Sequence, residues 1–291
     1  KVAILSSGFF GSLSGSVISN VVTTGQLTIP TMKRAGYTPA YAASVEACAS
    51  TGGTLMPPVM GAVAFLMAEF LNIPYRDIVI AAAVPSFLFY LALLLQVDCY
   101  AAVKGLKGQP ASEIPRMWET LKDGWFYLFS LLLLVYLLVW ARMELYAPYY
   151  ATIVLLASAA IFRKKGRRFN LAKFLELIIE SSSIIASIIA ILAGIGVIVG
   201  ALAFTGVGGA FSRELLSLAG GSLPFILIMG AVTSFFLGMG VTVSACYIFL
   251  AIVMGPALIE FGLDPIASHL FILYWGMMSY ITPPVALAAV A

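Results

Sequence analysis

Apolar runs separated by short polar or proline-containing breaks set the first expectations for this chain. Residues 126–141 with their flanks, and residues 181–205, exceed the roughly 18 apolar residues that mark a bilayer-crossing helix. Continuous spans are predicted at 78–100, 124–142, 147–163 and 178–205. Two other apolar regions are interrupted. The first breaks at Ser12-Leu13-Ser14-Gly15-Ser16 and on to Asn20, the second at Gly238-Met239-Gly240-Val241-Thr242. Each such region is about 35 residues long and would overshoot a bilayer as one helix rising about 1.5 Å per residue. Two half-length helices around a small-residue tip, a re-entrant hairpin, are predicted instead. A further helix then opens at Thr38-Pro39 or Asp264-Pro265, an N-cap residue followed by proline at the first helical position. It is predicted to break at Ser50-Thr51-Gly52-Gly53-Thr54 before Pro57-Pro58, or at Ser279-Tyr280-Ile281-Thr282 before Pro283-Pro284. Proline lacks the N–H and clashes with the preceding turn.

The two interrupted regions are copies. At an offset of 226 residues, Phe9-Phe10 falls on Phe235-Phe236, Val17 on Val243, Pro30 on Pro256, Gly36 on Gly262, Pro39 on Pro265, and Pro57-Pro58-Val59 on Pro283-Pro284-Val285. A shared apolar background does not reproduce three proline sites and a glycine. The predicted organisation is a first transport repeat at 1–70, connecting and scaffold-type helices with interfacial segments at 71–222, and a second repeat, cut short, at 223–291. Five crossings precede the second hairpin, so the copies are expected to enter from opposite sides. The fold class expected is all-α: a polytopic membrane protein with inverted-topology repeats, two re-entrant hairpins and two discontinuous transmembrane helices.

Composition makes the bilayer the solvent. Hydrophobic residues are 62% of the 291 and charged residues 10%, against about 45–50% and about 25% in soluble domains. Thirteen of the sixteen Lys and Arg residues fall on the side of the first hairpin; Arg76, Arg142 and Arg213 fall on the other. Positive charge stays inside, which puts the first hairpin in the cytoplasm and the second outside. Residues 167–180 alternate basic residues with Phe169, Leu171, Phe174, Leu175 and Leu177, as an interfacial helix does. Residues 105–125, with Pro110 and Pro115, are read the same way; the alternative for both is a plain basic loop. The net charge of +3 is not gathered on a soluble face, so no nucleic-acid partner is implied. Cys48, Cys99 and Cys246 have no paired spacing and read as small buried hydrophobes. His269 is the only histidine, leaving little material for a zinc site or a catalytic dyad. No signal peptide is legible, and the chain opens at Lys1 within an apolar segment and stops soon after a Pro-Pro pair. It reads as a fragment.

Broken backbone at membrane depth survives only against protein or a watery cavity. Inverted repeats with such breaks place ligands and coupling ions near the midplane. Half-helix N-termini face anions, and freed carbonyls and hydroxyls can surround Na⁺. Ser14, Ser16, Ser19 and Asn20 lie at the first tip, with Thr51, Gly52, Gly53 and Thr54 in the facing break. Thr242 and Ser244 lie near the second tip, with Gly276, Ser279 and Thr282 near its break. No carboxylate lies in either tip, which favours a monovalent ion over Ca²⁺ or Mg²⁺. For any one hydroxyl the alternative is helix packing or bonding to the i−4 carbonyl. Glu46 falls within the first broken span, where a carboxylate is a functional candidate by default. A proton or ion site is one reading; a place near the interface, or a pair with Lys33 or Arg34, is the structural one and is preferred. Asp98 and Glu69 read as interfacial. His269 reads as packed or interfacial rather than a gate, and Trp125, Tyr149 and Tyr150 as belt residues.

Phe10-Gly11-Ser12-Leu13-Ser14-Gly15-Ser16, Ile29-Pro30-Thr31-Met32-Lys33-Arg34-Ala35-Gly36-Tyr37 and residues 49–58 resemble the large membrane subunit of the TRAP (tripartite ATP-independent periplasmic) transporters. So do Gly255-Pro256, Gly262-Leu263-Asp264-Pro265 and Tyr280-Ile281-Thr282-Pro283-Pro284-Val285. Residues 46–69 look most like the TAXI branch, in which the membrane part is often one fused polypeptide. The resemblance covers essentially the whole chain. It implies a bacterial or archaeal inner-membrane carrier, not an enzyme, that takes an organic acid from an extracytoplasmic solute-binding protein. Import is then coupled to Na⁺ by an elevator motion, with a small membrane subunit or fused equivalent as partner. It also implies sodium ligation by Ser14, Gly15, Ser16, Asn20, Thr51 and Gly52 at one site and by Gly238, Gly240, Thr242, Gly276, Ser279 and Thr282 at the other. Ser16, Asn20, Thr54, Thr242 and Ser244 are the substrate-contact candidates. Met278 occupies the position of Gly52, so the two sites need not be alike.

A carboxylate symporter without a binding protein is the nearest competing reading. An intramembrane protease is the remote one. It needs a Ser–His pair or an Asp dyad, but Ser14-Gly15 lacks a glycine two residues before the serine, and Gly238-Met239-Gly240 is followed by Val241 rather than aspartate.

Overall fold

The computed structural model describes residues 1–108, 117–162 and 171–291. Pro110, Pro115, Arg116 and the basic run 163–168 lie outside the described residues. Helices account for all regular structure among the described residues, consistent with the all-α membrane class. Two compact units are formed: one from residues 1–73, 77–108 and 195–291, the other from 74–76 and 109–194.

The first unit contains both repeats. In copy one, α1 (Val2–Ser14) and α2 (Val17–Arg34) form a hairpin, followed by α3 (Pro39–Gly53) and α4 (Gly61–Leu71). Local sequence explains the reversal. Gly15 closes α1 in the left-handed conformation at φ 62°, its N–H donating to Gly11 O at 2.8 Å, and Ser16 at once caps α2 by accepting from Ser19 N at 3.3 Å. A left-handed glycine cap followed directly by a hydroxyl N-cap needs no loop residues. Thr38 and Asp264 cap their helices ahead of Pro39 and Pro265, as expected.

Copy two follows the same plan with α10 (Leu223–Gly238), α11 (Val243–Val253), α12 (Gly255–Glu260), α13 (Pro265–Met278) and α14 (Leu287–Val290). The 226-residue offset holds at the level of backbone. Gly36 and Gly262 both turn at positive φ, 95° and 102°; Met60 and Ala286 both adopt the left-handed region; Pro57-Pro58 and Pro283-Pro284 are both cis. Thr242 repeats the Ser16 cap, accepting from Ala245 N at 3.3 Å. The copies differ where Pro30 stays inside an unbroken α2 while its counterpart, Pro256, follows a break at Met254.

Each copy has its own apolar core. Ile4, Met32, Ala42, Val45 and Ala49 pack against Tyr90, Leu93 and Val97 of α5 (Tyr75–Val103). Ile226, Cys246, Leu250, Met254, Leu258 and Ile272 pack against Leu215 and Ala219 of α9 (Val207–Ala219). Helix α9 is a correction to the sequence reading, which left residues 206–222 as a connection. Arg213 and Glu214 interrupt its apolar run, but Leu215 and Ala219, one turn apart, supply the buried face. The outward face of α5 repeats large apolar residues at Val84, Phe87, Leu88, Leu91 and Leu95, all exposed. An apolar stripe at helical period with no protein over it is a lipid-facing surface.

In the second unit, α6 (Met117–Val139) and α7 (Ala147–Phe162) pack together, with Ser130 donating to Ala151 O at 2.8 Å and Trp125 edge-on to Phe162. The turn between them is held by Glu144, which accepts from Tyr75 N at 2.8 Å. The first part of α8 (Leu171–Thr205) completes the unit. Residues 171–180, expected as a separate interfacial segment, are instead the opening turns of this unbroken 35-residue helix. At about 1.5 Å per residue it reaches about 52 Å, well beyond the roughly 30 Å hydrocarbon thickness. Among the described residues, two helices are long and apolar enough to cross a membrane, Tyr75–Val103 and Leu171–Ile198. With 16 residues α7 falls short of the roughly 20 a perpendicular crossing needs.

Candidate functional site

The first hairpin tip docks on the first break by direct backbone contact. A Cβ on Gly11 would stand 2.7 Å from Gly53 Cα, and one on Gly15 would collide with Gly61 Cα. These glycines permit contact closer than any side chain allows, which holds the tip against the non-helical residues 54–60. Asn20 is fully buried at this junction; its Nδ2 donates to Ser7 O at 2.9 Å. Ser14 and Ser16 are exposed at the tip, the Ser16 hydroxyl committed to its cap. Thr51 is buried and donates to Ala47 O at 2.8 Å. Gly52 faces away, toward the rings of Phe89 and Tyr90, although its carbonyl belongs to the turn and accepts from Leu55 N. The expected break at Ser50–Thr54 lies slightly later, since α3 stays helical to Gly53.

The second tip docks differently. A Cβ on Gly238 would collide with Gly276 O and stand 2.8 Å from Ser279 Oγ. Ser279 is buried and donates to Gly276 O at 2.7 Å; Thr282 donates to Met278 O at 2.9 Å. Tyr280 ties the break to the tip by donating to Val241 O at 2.9 Å. Gly240 turns at φ 80° with open space around it, Thr242 is exposed, and Ser244 is half-buried. Asn20 is replaced here by Cys246, whose sulfur faces Gly276. The second docking site is therefore poorer in oxygen donors than the first. At both tips, the candidate ligands are hydroxyls and carbonyls, a donor set suited to a hard monovalent cation.

The two breaks meet. Thr54, buried in the first, donates to Thr51 O at 2.9 Å and lies 3.5 Å from Met277 Sδ at the end of α13. Each copy also lends its last half-helix to the other. Helix α4 packs on α11 and α13, while α14 packs on α2 and α3. That reciprocal exchange is the pattern of an approximate two-fold relation. Phe70 of α4 stacks on Tyr247 of α11 with ring centroids 6.2 Å apart.

His269 is packed, as expected: its Nδ1 is 2.7 Å from the Tyr247 hydroxyl, and both side chains are buried. Tyr247→Phe strips that nitrogen of its partner and is expected to cost about 1–3 kcal/mol. Adding His269→Leu removes the orphaned group, so a thermal-unfolding comparison should show the double variant recovering much of the loss.

Glu46 overturns the structural expectation. It is fully buried and pairs with neither Lys33 nor Arg34, both of which are exposed. Thr24, Thr28 and Ser50 donate to its carboxylate. Ser7, Thr24 and Thr28, and the docking glycines Gly11 and Gly61, were not among the site residues expected from sequence. Spacing held a signal for the first group: Asn20, Thr24 and Thr28 recur every four residues on α2, and Glu46 and Ser50 are four apart on α3. Nothing local marks Gly11 or Gly61, because their constraint comes from another helix.

A family model described as "Tripartite ATP-independent periplasmic transporter, DctM component" matches residues 1–291. The C4-dicarboxylate TRAP transporter large permease protein DctM of Pseudomonas aeruginosa is 27% identical over 98% of this chain and 66% of its own length. The isethionate TRAP transporter permease protein DctMQ of Oleidesulfovibrio alaskensis is 22% identical over 95% of this chain and 43% of its own. The sialic acid TRAP transporter large permease protein SiaM of Vibrio cholerae is 21% identical over 99% and 66%. The chain thus spans about two thirds or less of these relatives.

Proposed function

The chain belongs to the DctM component family of the tripartite ATP-independent periplasmic transporters, and from that premise we propose that it is the transport core of a sodium-driven importer of a small carboxylate. The carrier works in a bacterial inner membrane. It receives its substrate from a periplasmic solute-binding protein and acts with a small membrane subunit or a fused equivalent. Relatives named for C4-dicarboxylates, isethionate and sialic acid all handle organic anions, which supports an anionic substrate here.

One observation carries the reading: two glycine-docked tips lie against two interrupted helices that meet at Thr54 and Met277. No Lys or Arg lies in either break. A carboxylate is therefore held by the N-terminal ends of α2 and α11, by hydroxyls, and by the field of bound Na⁺. Residues Ser14, Gly15, Ser16 and Asn20, with the carbonyls of Thr51 and Gly52, hold the ion in the first copy. Gly238, Gly240, Thr242, Gly276, Ser279 and Thr282 hold it in the second. Elevator movement of the docked tips then exchanges the site between the two sides.

Uptake into proteoliposomes by the full-length carrier with its binding protein should require Na⁺. Replacing sodium by choline should reduce it to background, and unchanged uptake in choline would reject the reading. Thr242→Ala or Ser16→Ala should weaken the sodium dependence, with about 1 kcal/mol of lost capping as a separate cost. Thr242→Ser, which keeps the hydroxyl, should not. Uptake that persists without the binding protein would favour the simpler symporter.

A further inference from the structure

Glu46 lies in the interior of the first repeat, where α2 and α3 pack together, and hydroxyl groups, with no cationic side chain among its hydrogen-bond partners, surround its carboxylate. Thr24 Oγ1 reaches Glu46 Oε1, Asn20 O at 2.8 Å and Asn20 Oδ1 at 3.1 Å. Thr28 Oγ1 reaches Glu46 Oε2 and Thr24 O, the latter at 3.0 Å. Ser50 Oγ is 3.2 Å from Glu46 Oε1 and 3.0 Å from Ser7 Oγ, which is itself 3.5 Å from Asn20 Oδ1. These eight oxygen pairs share four hydroxyl hydrogens. A hydroxyl donates once, so Thr24, Thr28 and Ser50 serve the ionised carboxylate and Ser7 serves Asn20 Oδ1, but no cationic side chain among the described residues balances the buried charge. A proton on the carboxylate removes that charge and leaves the hydroxyl network in place. A metal ion would need an ion-sized centre between its ligands. Here the threonine hydroxyls touch the carboxylate directly at hydrogen-bond distance, which suits a proton.

The second repeat shows what this position needs for folding alone. At the 226-residue offset Glu46 becomes Ile272, Thr24 becomes Leu250, Thr28 becomes Met254, Asn20 becomes Cys246 and Ser50 becomes Gly276. Ile272, Leu250, Met254 and Cys246 are buried in the second core. Although the counterpart of α2 breaks at Met254, these positions of copy two close over apolar side chains, so packing gives no reason for a carboxylate in copy one. Burying an unpaired charge is costly, and such a group inside a membrane protein marks a functional position.

Few other titratable groups face it. Helix α1 carries none between Val2 and Ser14, and α14 carries none. Helix α2 brings only Lys33 and Arg34, exposed in its last turn, and α3 itself brings Tyr41 and Cys48. From α5 comes Tyr90, whose hydroxyl donates to Ala49 O at 2.7 Å.

We infer that Glu46 is an exchangeable proton-binding site: its carboxylate takes a proton from water and returns it during the working cycle. Thr24, Thr28 and Ser50 hold the ionised form. Ser50, Ser7 and Asn20 link it by hydrogen bonds to the tip-to-break contact at Gly11 and Gly53. Protonation is thereby placed to bias the docking of the first hairpin. This goes beyond sodium coupling and does not depend on it.

Infrared difference spectroscopy between acid and neutral buffer, on the full-length carrier in lipid with choline as the only monovalent salt cation, tests the assignment without any substrate. A carboxylic-acid carbonyl band should appear on acidification, shift in heavy water, and be lost in Glu46→Gln. The combined variant Thr24→Leu, Thr28→Met, Glu46→Ile copies the second repeat; it should fold and show the same loss. Superimposable spectra from the parent and Glu46→Gln would overturn the inference. So would a Glu46 band that never titrates or exchanges, the sign of a fixed structural acid. A band abolished by NaCl but not by choline chloride would also overturn it, by making Glu46 a sodium ligand. Loss or persistence of the band in choline does not bear on sodium-driven uptake, so that reading stands or falls separately.

Discussion

Gly15→Val should leave the first hairpin undocked, with the variant losing most of its folded yield and all transport. Two costs add. Gly15 sits at φ 62°, a left-handed conformation that costs an ordinary residue about 1–2 kcal/mol, and a β-branched one more. Its Cβ would also enter the space of the Gly61 backbone. Backbone cannot rotate aside as a side chain does, so the tip must lift away, and forced overpacking of this kind costs about 1–3 kcal/mol. The expected total is roughly 2–5 kcal/mol, a large share of the stability of an ordinary domain. Fluorescence-detected size exclusion during a temperature ramp measures it. Gly240→Ala is the control: it shares the positive φ but has open space around it, so only the conformational cost should appear. Equal losses from the two variants would mean that docking at Gly61 contributes nothing.

Gly238→Val should be the most damaging single change in the second repeat. Gly238 lies at the end of α10 in ordinary helical backbone, so conformation is no obstacle, and valine has only a modest helix penalty. The obstacle is Gly276 O, together with Ser279 Oγ at 2.8 Å from the added carbon. That carbonyl already accepts the Ser279 hydroxyl. Displacing it breaks the turn that ends α13, so the expected cost is at least about 2 kcal/mol. Transport should fall with it, because the tip and break separate. Gly196→Ala, in a helix with nothing near its added carbon, should instead be neutral or stabilising by up to about 1 kcal/mol. If Gly238→Val unfolds at the parent temperature, the second tip does not dock where the structure places it.

Elements governed by local chemistry were legible in advance. Thr38 and Asp264 were readable as helix starts because a cap needs only its own side chain and the next few N–H groups; Ser16 and Thr242, expected as tip residues, cap α2 and α11 by the same local chemistry. The duplication was legible because proline and glycine are replaced at a steep conformational cost, which keeps their spacing when apolar residues drift. Helix α9 and the continuity of α8 were less legible. The polar residues along them looked like interruptions, and only packing showed which face was covered.

The chain's amino-acid order by itself determined a lipid-embedded helical class, two copies of one unit at a spacing of 226, and the places where each unit breaks. These follow from hydropathy, from capping and from proline, all of which act within a turn or two of the residue concerned. Tertiary structure alone decided that α4 and α14 cross to the other copy, that Gly15 meets Gly61 while Gly238 meets Gly276, and that Glu46 is enclosed by hydroxyls and not paired with Lys33 or Arg34. Burial and backbone contact depend on residues far away in the chain, and no window along the sequence contains both partners.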